Sequence, residues 1–172
     1  MSTSQAASPW ILRFLPLVHI GQAALDLAAG SGQHSRLLLS HGLQVTAVDR
    51  DPHQQPDATG LTKVRADLED GSPWPLGSRR FDLVVATNYL HRPILGDIIG
   101  AVAPGGLLLY ETFAQGNERF GKPRNPDHLL RPGELREAVS GRLDILAFED
   151  LELGEPNPAV IQHIAARARR RG

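Results

Sequence analysis

The stretch Leu25-Asp26-Leu27-Ala28-Ala29-Gly30-Ser31-Gly32-Gln33-His34-Ser35-Arg36-Leu37-Leu38-Leu39 constrains the fold more than any other. Its apolar start reads as a short buried strand, its glycines as an abrupt turn, and its end as the opening of a helix. Such a turn lets a ligand approach the backbone, because glycine has no side chain to stand in the way. Asp26 adds a carboxylate four residues before the first of those glycines.

The rest of the chain alternates in the same manner. Strand patterns run at 23–27, 44–48, 61–66, 81–86, 107–110, 143–153 and 160–166. Helical spacing appears at 9–20, where Pro16 bends or breaks it, and at 33–41, 93–102 and 133–140. Gly42 and Gly141 stand where helices close, and Pro132 is tolerated in a first turn. Between 50 and 60, two prolines, two glutamines and almost no apolar face leave at most a turn or two in place of a crossover helix. Pro104-Gly105-Gly106 predicts a turn before the fifth strand. Alternation of this kind implies a parallel sheet with both faces covered.

Composition sets the outer limits. With 172 residues there is enough chain for one sizeable core, so 9–172 is expected to form one domain behind a loose, small and polar tail at 1–8. That tail lacks the basic and apolar pattern of a signal peptide, and no apolar run approaches the roughly 18 residues of a membrane span. A formal net charge of −1 provides no field to recruit nucleic acid or an anionic membrane. The absence of cysteine removes disulfides, cysteine-based zinc sites and thiol nucleophiles, and fits a cytoplasmic protein. No metal site is expected. Arg167 and Arg169 to Arg171 read as the solubilising end of an edge strand rather than an RNA contact.

In parallel sheets the ligand lies at the carboxyl ends of the strands. Here those ends carry Asp26 to Gly32, Asp49, Asp67 and residues 87–92. Gly30-x-Gly32 alone also begins a dinucleotide pattern, but a pyrophosphate over the turn would meet the charge of Asp26. A ligand with an ammonium and a sulfonium would be favoured by it. Asp49 ends the second strand, where an acid can accept hydrogen bonds from two ribose hydroxyls. That position suits NAD as well, and so supports a nucleoside without choosing the cofactor. Asp67 with Leu68 can face an adenine. Each has a plainer role: Asp26 can cap the glycine turn, and Asp67 can start a turn with Glu69, Asp70 and Gly71.

Taken in order, these segments resemble a class I S-adenosylmethionine-dependent methyltransferase over nearly the whole chain. Residues 25–35 resemble the family's first motif, 45–49 its acidic second strand, and Ala66-Asp67-Leu68 its adenine-side acid. Phe81-Asp82-Leu83-Val84-Val85 resembles its fourth strand and residues 103–109 its fifth-strand entrance. The segment 110–118 with 129–135 is similar to the small tellurite-resistance-type and thiopurine-type group. Ala28 departs from the family by replacing the frequent first glycine. The resemblance implies a Rossmann-like, seven-stranded, mostly parallel sheet with helices on both faces and an antiparallel last strand, here with a shortened helix between strands two and three. It implies S-adenosylmethionine as cofactor, S-adenosylhomocysteine as product, and Asp26, Ala28, Gly30, Gly32, Asp49, Asp67, Leu68 and Asn88 as cofactor residues.

Methyl transfer is mostly a matter of positioning and electrostatics, and needs a base only when the acceptor arrives protonated. Tyr89 and His91 are the acceptor-side candidates, Tyr89 as a wall and His91 as a proton acceptor, with Arg92 available to an anionic acceptor. Asn88 and His91 can alternatively shape the turn before the helix at Pro93. The loop 115–126, with Gly116 and Gly121, is long enough to serve as a lid. The expected acceptor is a small molecule. RNA or protein methylation, cofactor binding without turnover, and a nicotinamide oxidoreductase are the alternatives.

Overall fold

The apolar alternation along the predicted strands becomes two opposite faces of one sheet in the computed structural model, which describes residues 6–171. The strands are β1 (Ala23–Leu27), β2 (Gln44–Asp49), β3 (Leu61–Arg65), β4 (Phe81–Thr87), β5 (Val102–Phe113), β6 (Leu143–Leu153) and β7 (Ala159–Ala168). They lie in the order β3-β2-β1-β4-β5-β7-β6. Neighbours from β3 to β5 pair in parallel, whereas β7 is antiparallel to both β5 and β6. The expected seven-stranded, mostly parallel sheet with an antiparallel last strand is therefore present.

Helices α1 (Pro9–Phe14) and α2 (Gln33–Ser40) pack on one face, and α3 (Leu95–Gly100) and α4 (Glu134–Val139) on the other. Successive strand residues point to opposite faces. Ala24 of β1 accordingly joins Trp10, Ile11, Phe14 and Leu38, while Leu25 and Leu27 join Ile98, Leu135 and Val139. Asp26 shares the parity of Ala24 and so points toward α2.

At the amino end, residues 1–5 of the expected tail lie outside the described residues. Ser8 is buried and caps α1, its hydroxyl accepting the Trp10 amide at 3.2 Å. Pro9 occupies the first turn, where its missing N–H costs nothing, and Pro16 falls in a 3₁₀ turn over Leu15–Leu17 that ends the segment.

Three expectations are revised, and a fourth segment adds a buried residue. The segment 50–60 holds only a 3₁₀ turn, Pro52–Gln54, as its composition implies, but the Gln55 side chain folds inward and is buried. The helix predicted over 93–102 is split into a 3₁₀ turn, Arg92–Ile94, and α3, with Val102 already in β5. β5 begins at Val102 instead of Leu107, because Pro104-Gly105-Gly106 is a widening within the strand: Phe81 faces Val102, and Leu83 already faces Leu107. The arginine-rich end does not close an edge strand either. β7 lies between β5 and β6, Arg167 donates to the Gly105 carbonyl at 2.9 Å, and Arg169 pairs with Asp144 at 3.0 Å.

The widening in β5 depends on Gly106. A Cβ there would lie 2.8 Å from the Ala103 carbonyl oxygen, 2.9 Å from that of Phe81 and 3.1 Å from that of Asp82. Gly106→Ala must move backbone on two strands, so it is expected to destabilise the fold by about 1–3 kcal/mol. A fall in thermal midpoint of about 2–4 °C per kcal/mol in a melting experiment checks this; an unchanged midpoint would contradict it.

Candidate active site

The carboxyl ends of β1, β2, β3 and β4 meet along one edge, and the turn after β1 is its centre. Ala28, Gly30 and Gly32 all have positive φ, at 53°, 56° and 86°. This places Ala28, where the related pattern most often has glycine, in the left-handed region that L residues with a Cβ rarely adopt. The turn is fastened to β2 by two bonds: the Ala29 amide donates to the Val48 carbonyl at 3.0 Å, and the Gly30 amide to Asp49 Oδ2 at 2.9 Å. Asp49 Oδ1 accepts the Asp51 amide at 2.9 Å. An ionised carboxylate can accept about four hydrogen bonds, so Asp49 retains capacity for a pair of hydroxyls.

The two glycines of the motif do different work. A Cβ at Gly30 would meet nothing within 4 Å, which leaves the backbone open to a ligand. A Cβ at Gly32 would fall 2.4 Å from Cδ of Gln55. Gly32 thus admits the Gln55 side chain, whose Nε2 donates to Ser35 Oγ at 3.3 Å. Sequence reading missed this partner, because a glutamine in a proline-rich loop carries no signal of burial.

Asp26 lies beneath the turn. It is 1% exposed, and its Oδ2 accepts the Ser35 hydroxyl at 2.6 Å. Burial pushes its carboxyl up to about 6, against the lowering effect of the Ser35 bonds, and the neighbouring charge of Asp49 adds to the rise. Asp26 lines none of the three cavities described next, so its charge acts from below the turn.

These cavities adjoin one another along the strand ends. The first, of about 420 Å³, is lined by Arg50, Arg65, Asp67, Leu68 and Trp74 among others. The second, of about 200 Å³, is lined by Ala28, Asp49, Arg50, Asp67, Glu69 and Tyr89 among others, and shares Arg50, Asp67 and Leu68 with the first. The third, of about 250 Å³, shares Glu69 and Tyr89 with the second and adds Asn88, Thr112, Phe113 and His128. Ala28, Asp49, Asp67, Leu68, Asn88 and Tyr89 are thus brought to one groove, with Gly30 and Gly32 in the turn beside it.

Asp67 starts the turn and also lines the first and second cavities. Its Oδ1 accepts the Glu69 amide at 2.9 Å, and that turn puts Glu69 in the groove, a residue the sequence suggested only as turn filler. Trp74 packs on the core and also lines the first cavity. His91 lines none of the three; its Nδ1 lies 3.4 Å from Glu69 Oε1. Arg92 is committed elsewhere. It donates to Glu134 at 2.8 and 2.9 Å and to the Leu129 carbonyl at 2.8 Å, so it does not serve an anionic acceptor.

Tyr89 is the acceptor-side residue with the most unusual surroundings. Its hydroxyl is buried with no hydrogen-bond partner among the described residues. Burial, then the charges of Glu69 and Asp67, push its phenol up to about 12, so it stays protonated. The backbone below it is fixed, since the Tyr110 hydroxyl donates to the Tyr89 carbonyl at 2.6 Å.

The loop 115–126 is anchored by buried Asn117, which donates to the Pro123 carbonyl at 3.2 Å and accepts the Val160 amide at 3.1 Å. Pro123 lines the third cavity. Behind the turn, the Ser8 amide donates to His34 Nε2 at 3.1 Å and its hydroxyl to Glu111 Oε1 at 2.9 Å. Glu111 Oε2 in turn lies 2.8 Å from Nδ1 of His163, which stacks on Trp10. This network ties α1 to the strand ends. Burial pushes the His34 imidazole down, partly offset by Glu111.

Two tests follow from the turn. Relieving the left-handed strain at Ala28, Ala28→Gly is expected to stabilise the chain by about 0.5–1 kcal/mol, read as a raised denaturant midpoint; a lowered one would contradict the strain. For Asp26, the folded carboxyl keeps its proton to about pH 6, whereas its ordinary value is 3.8. The group's contribution is therefore fully present below pH 3.8 and is lost as pH rises through about 6. Asp26→Asn keeps an acceptor for Ser35 and removes that loss. Its stability relative to the native chain should grow over this interval, by at most about 3 kcal/mol, in denaturation series at several pH values; a difference independent of pH would contradict the burial argument.

Comparison with known proteins agrees with the geometry. Residues 24–106 match the family model of the methyltransferase domain, a span holding the turn, Asp49, Asp67 and Tyr89. No curated protein matches the sequence closely enough to count as a relative. Solved structures match in fold. An S-adenosylmethionine-dependent methyltransferase of Methanosarcina mazei is 19% identical, with a TM-score of 0.69 over 97% of this chain and 100% of that one. TehB of Haemophilus influenzae is 17% identical, with a TM-score of 0.74 over 98% of this chain and 64% of that one. An S-adenosylmethionine-dependent methyltransferase of Mesorhizobium loti is 20% identical, with a TM-score of 0.69 over 92% and 96%. The donor set fits the cofactor: an open glycine backbone, a carboxylate with spare acceptor capacity, and a groove continuing on both sides. Residues 24–106 thus match a methyltransferase domain, and the chain has the fold of these S-adenosylmethionine-dependent methyltransferases.

Proposed function

We propose that this methyltransferase acts on a small molecule held in the third cavity, with the cofactor lying over the glycine turn and along the other two. The observation that carries this reading is the continuity of the groove. Asp49 accepts the Gly30 amide and lines the second cavity. That cavity shares residues with the first on one side and the third on the other, the place a nucleoside occupies if its two ends are to reach both.

In this reading Asp49 accepts the ribose hydroxyls, while Asp67, Leu68 and Trp74 form the wall of the base end. Gly30 and the residues of the turn leave room for the amino-acid end. Asp26 supplies negative charge from beneath, where low dielectric strengthens its pull on a cation. When bound, the cofactor supplies a methyl group on a sulfonium, and the bonding pair stays on sulfur as the methyl leaves. Tyr89, shared by the second and third cavities, stands where the two compartments meet. Phe113, Pro123 and Leu90 exclude water from the third cavity.

A small acceptor is supported by size and by charge. The third cavity, at about 250 Å³, lies just under the usual range of about 300–1,000 Å³ for small-molecule sites. No field of basic residues serves a nucleic-acid backbone, at a formal net charge of −1.

Isothermal titration with S-adenosylhomocysteine checks the cofactor assignment. The native chain should bind, and Asp49→Ala should weaken binding about tenfold or more, the loss of hydrogen bonds to a charged acceptor. Equal affinity of the two chains would remove Asp49 from the site. Tritium transfer to bulk tRNA, with none to small nucleophiles, would overturn the small-molecule reading.

A further inference from the structure

The third cavity has a polarity that its size alone does not dictate. Its polar lining comes from Glu69, Asn88, Tyr89, Thr112 and His128, and Phe113 supplies an aromatic face. Glu69 is the one residue of fixed charge among them. The basic residues nearest in sequence are directed elsewhere. Arg92 is bound by Glu134 and by the Leu129 carbonyl, while Lys122 and Arg124 are exposed and do not line the cavity.

We propose that this cavity takes an amine-bearing small molecule, with Glu69 as the counter-charge of its nitrogen. The inference rests on the reading of the third cavity as the acceptor site and names the class of acceptor. A carboxylate or phenolate placed there would face Glu69 with no lysine or arginine in the lining to offset the repulsion, an arrangement that disfavours anionic acceptors. An ammonium meets a carboxylate on one side and the faces of Phe113 and Tyr89 on others, and both attract cations.

The direction of charge flow gives a second, independent argument. The bound ammonium first gives a proton to water; the freed lone pair then forms the new N–C bond while the S–C bonding pair stays on sulfur, and the nitrogen becomes a methylammonium. Positive charge thus accumulates at the acceptor as the bond forms. A carboxylate beside that nitrogen stabilises the later state more than the earlier one, the condition for catalysis by binding. With a phenolate, charge at the acceptor would be neutralised, and Glu69 would oppose binding without aiding the step.

His91 acts in this arrangement through Glu69. Its Nδ1 lies 3.4 Å from Glu69 Oε1, and it lines none of the cavities. It is a positioning residue that holds the carboxylate toward the cavity. The Tyr89 hydroxyl is buried and unpartnered among the described residues, next to the cavity that Tyr89 lines.

The test compares benzylamine, phenol and benzoate, which share a ring and differ in charge. Their binding is measured by titration into the native chain, with and without saturating S-adenosylhomocysteine, and methyl transfer is followed separately. Benzylamine is expected to bind about tenfold or more tighter than benzoate. Glu69→Gln should abolish that preference, and Glu69→Asp should restore part of it. Benzoate binding as tightly as benzylamine, or an unchanged preference in Glu69→Gln, overturns the proposal, as does transfer to lysine side chains of bulk protein with no binding of benzylamine. Absence of binding by S-adenosylhomocysteine counts against the cofactor assignment, while the ranking of the three probes without it still decides this one.

Discussion

The 2.9 Å hydrogen bond from the Gly30 amide to Asp49 is the contact on which the site depends. Strands β1 and β2 are already parallel neighbours, but sheet pairing stops at Leu27 and Val48. Beyond that point the chain leaving β1 would be free to take many paths. The Ala29 bond to Val48 and the Gly30 bond to Asp49 extend the pairing by one turn and fix where the backbone opens. The same carboxylate also accepts the Asp51 amide, so Asp49 is oriented before any ligand arrives. Preorganisation of this kind removes ordering costs from the binding step.

Several unfavourable features cluster around this contact. Ala28 is held at positive φ, Asp26 is buried with its carboxyl up to about 6, and the Tyr89 hydroxyl is buried without a partner among the described residues. A chain under selection for stability alone would remove each of them with a single substitution. Their gathering at the ends of adjacent strands is what a site built for a charged ligand requires, since strain and desolvated charge collect where function needs them. The rest of the fold offsets the cost. Two apolar clusters cover the sheet, and the Ser8, Glu111 and His163 network ties α1 to β5 and β7.

The sequence made the strand-turn-helix centre legible because glycine, acid and apolar periodicity each act locally. Asp49 and Asp67 could be placed at strand ends by the same logic, and the sheet followed from alternation. What escaped was decided by contacts distant in sequence. Gln55 is buried because Gly32 leaves it room, a fact visible only once the 22 residues of intervening chain are folded. Glu69 enters the groove because Asp67 turns the chain there, and Arg92 is lost to the acceptor because Glu134 lies beside it. The start of β5 was misplaced because Pro104-Gly105-Gly106 has turn composition, yet the strand continues through a widening that only the pairing with β4 reveals. The arginine-rich end was assigned to an edge because chain order suggests it; β7 folds back between β5 and β6.

The decisive measurement is a crystal structure of the chain with S-adenosylhomocysteine. The account predicts the ribose hydroxyls on Asp49, the amino-acid end over Gly30, the base toward Leu68 and Trp74, and the sulfur facing the cavity of Tyr89 and Phe113. Ribose hydroxyls bound away from Asp49, or sulfur directed away from that cavity, would contradict it.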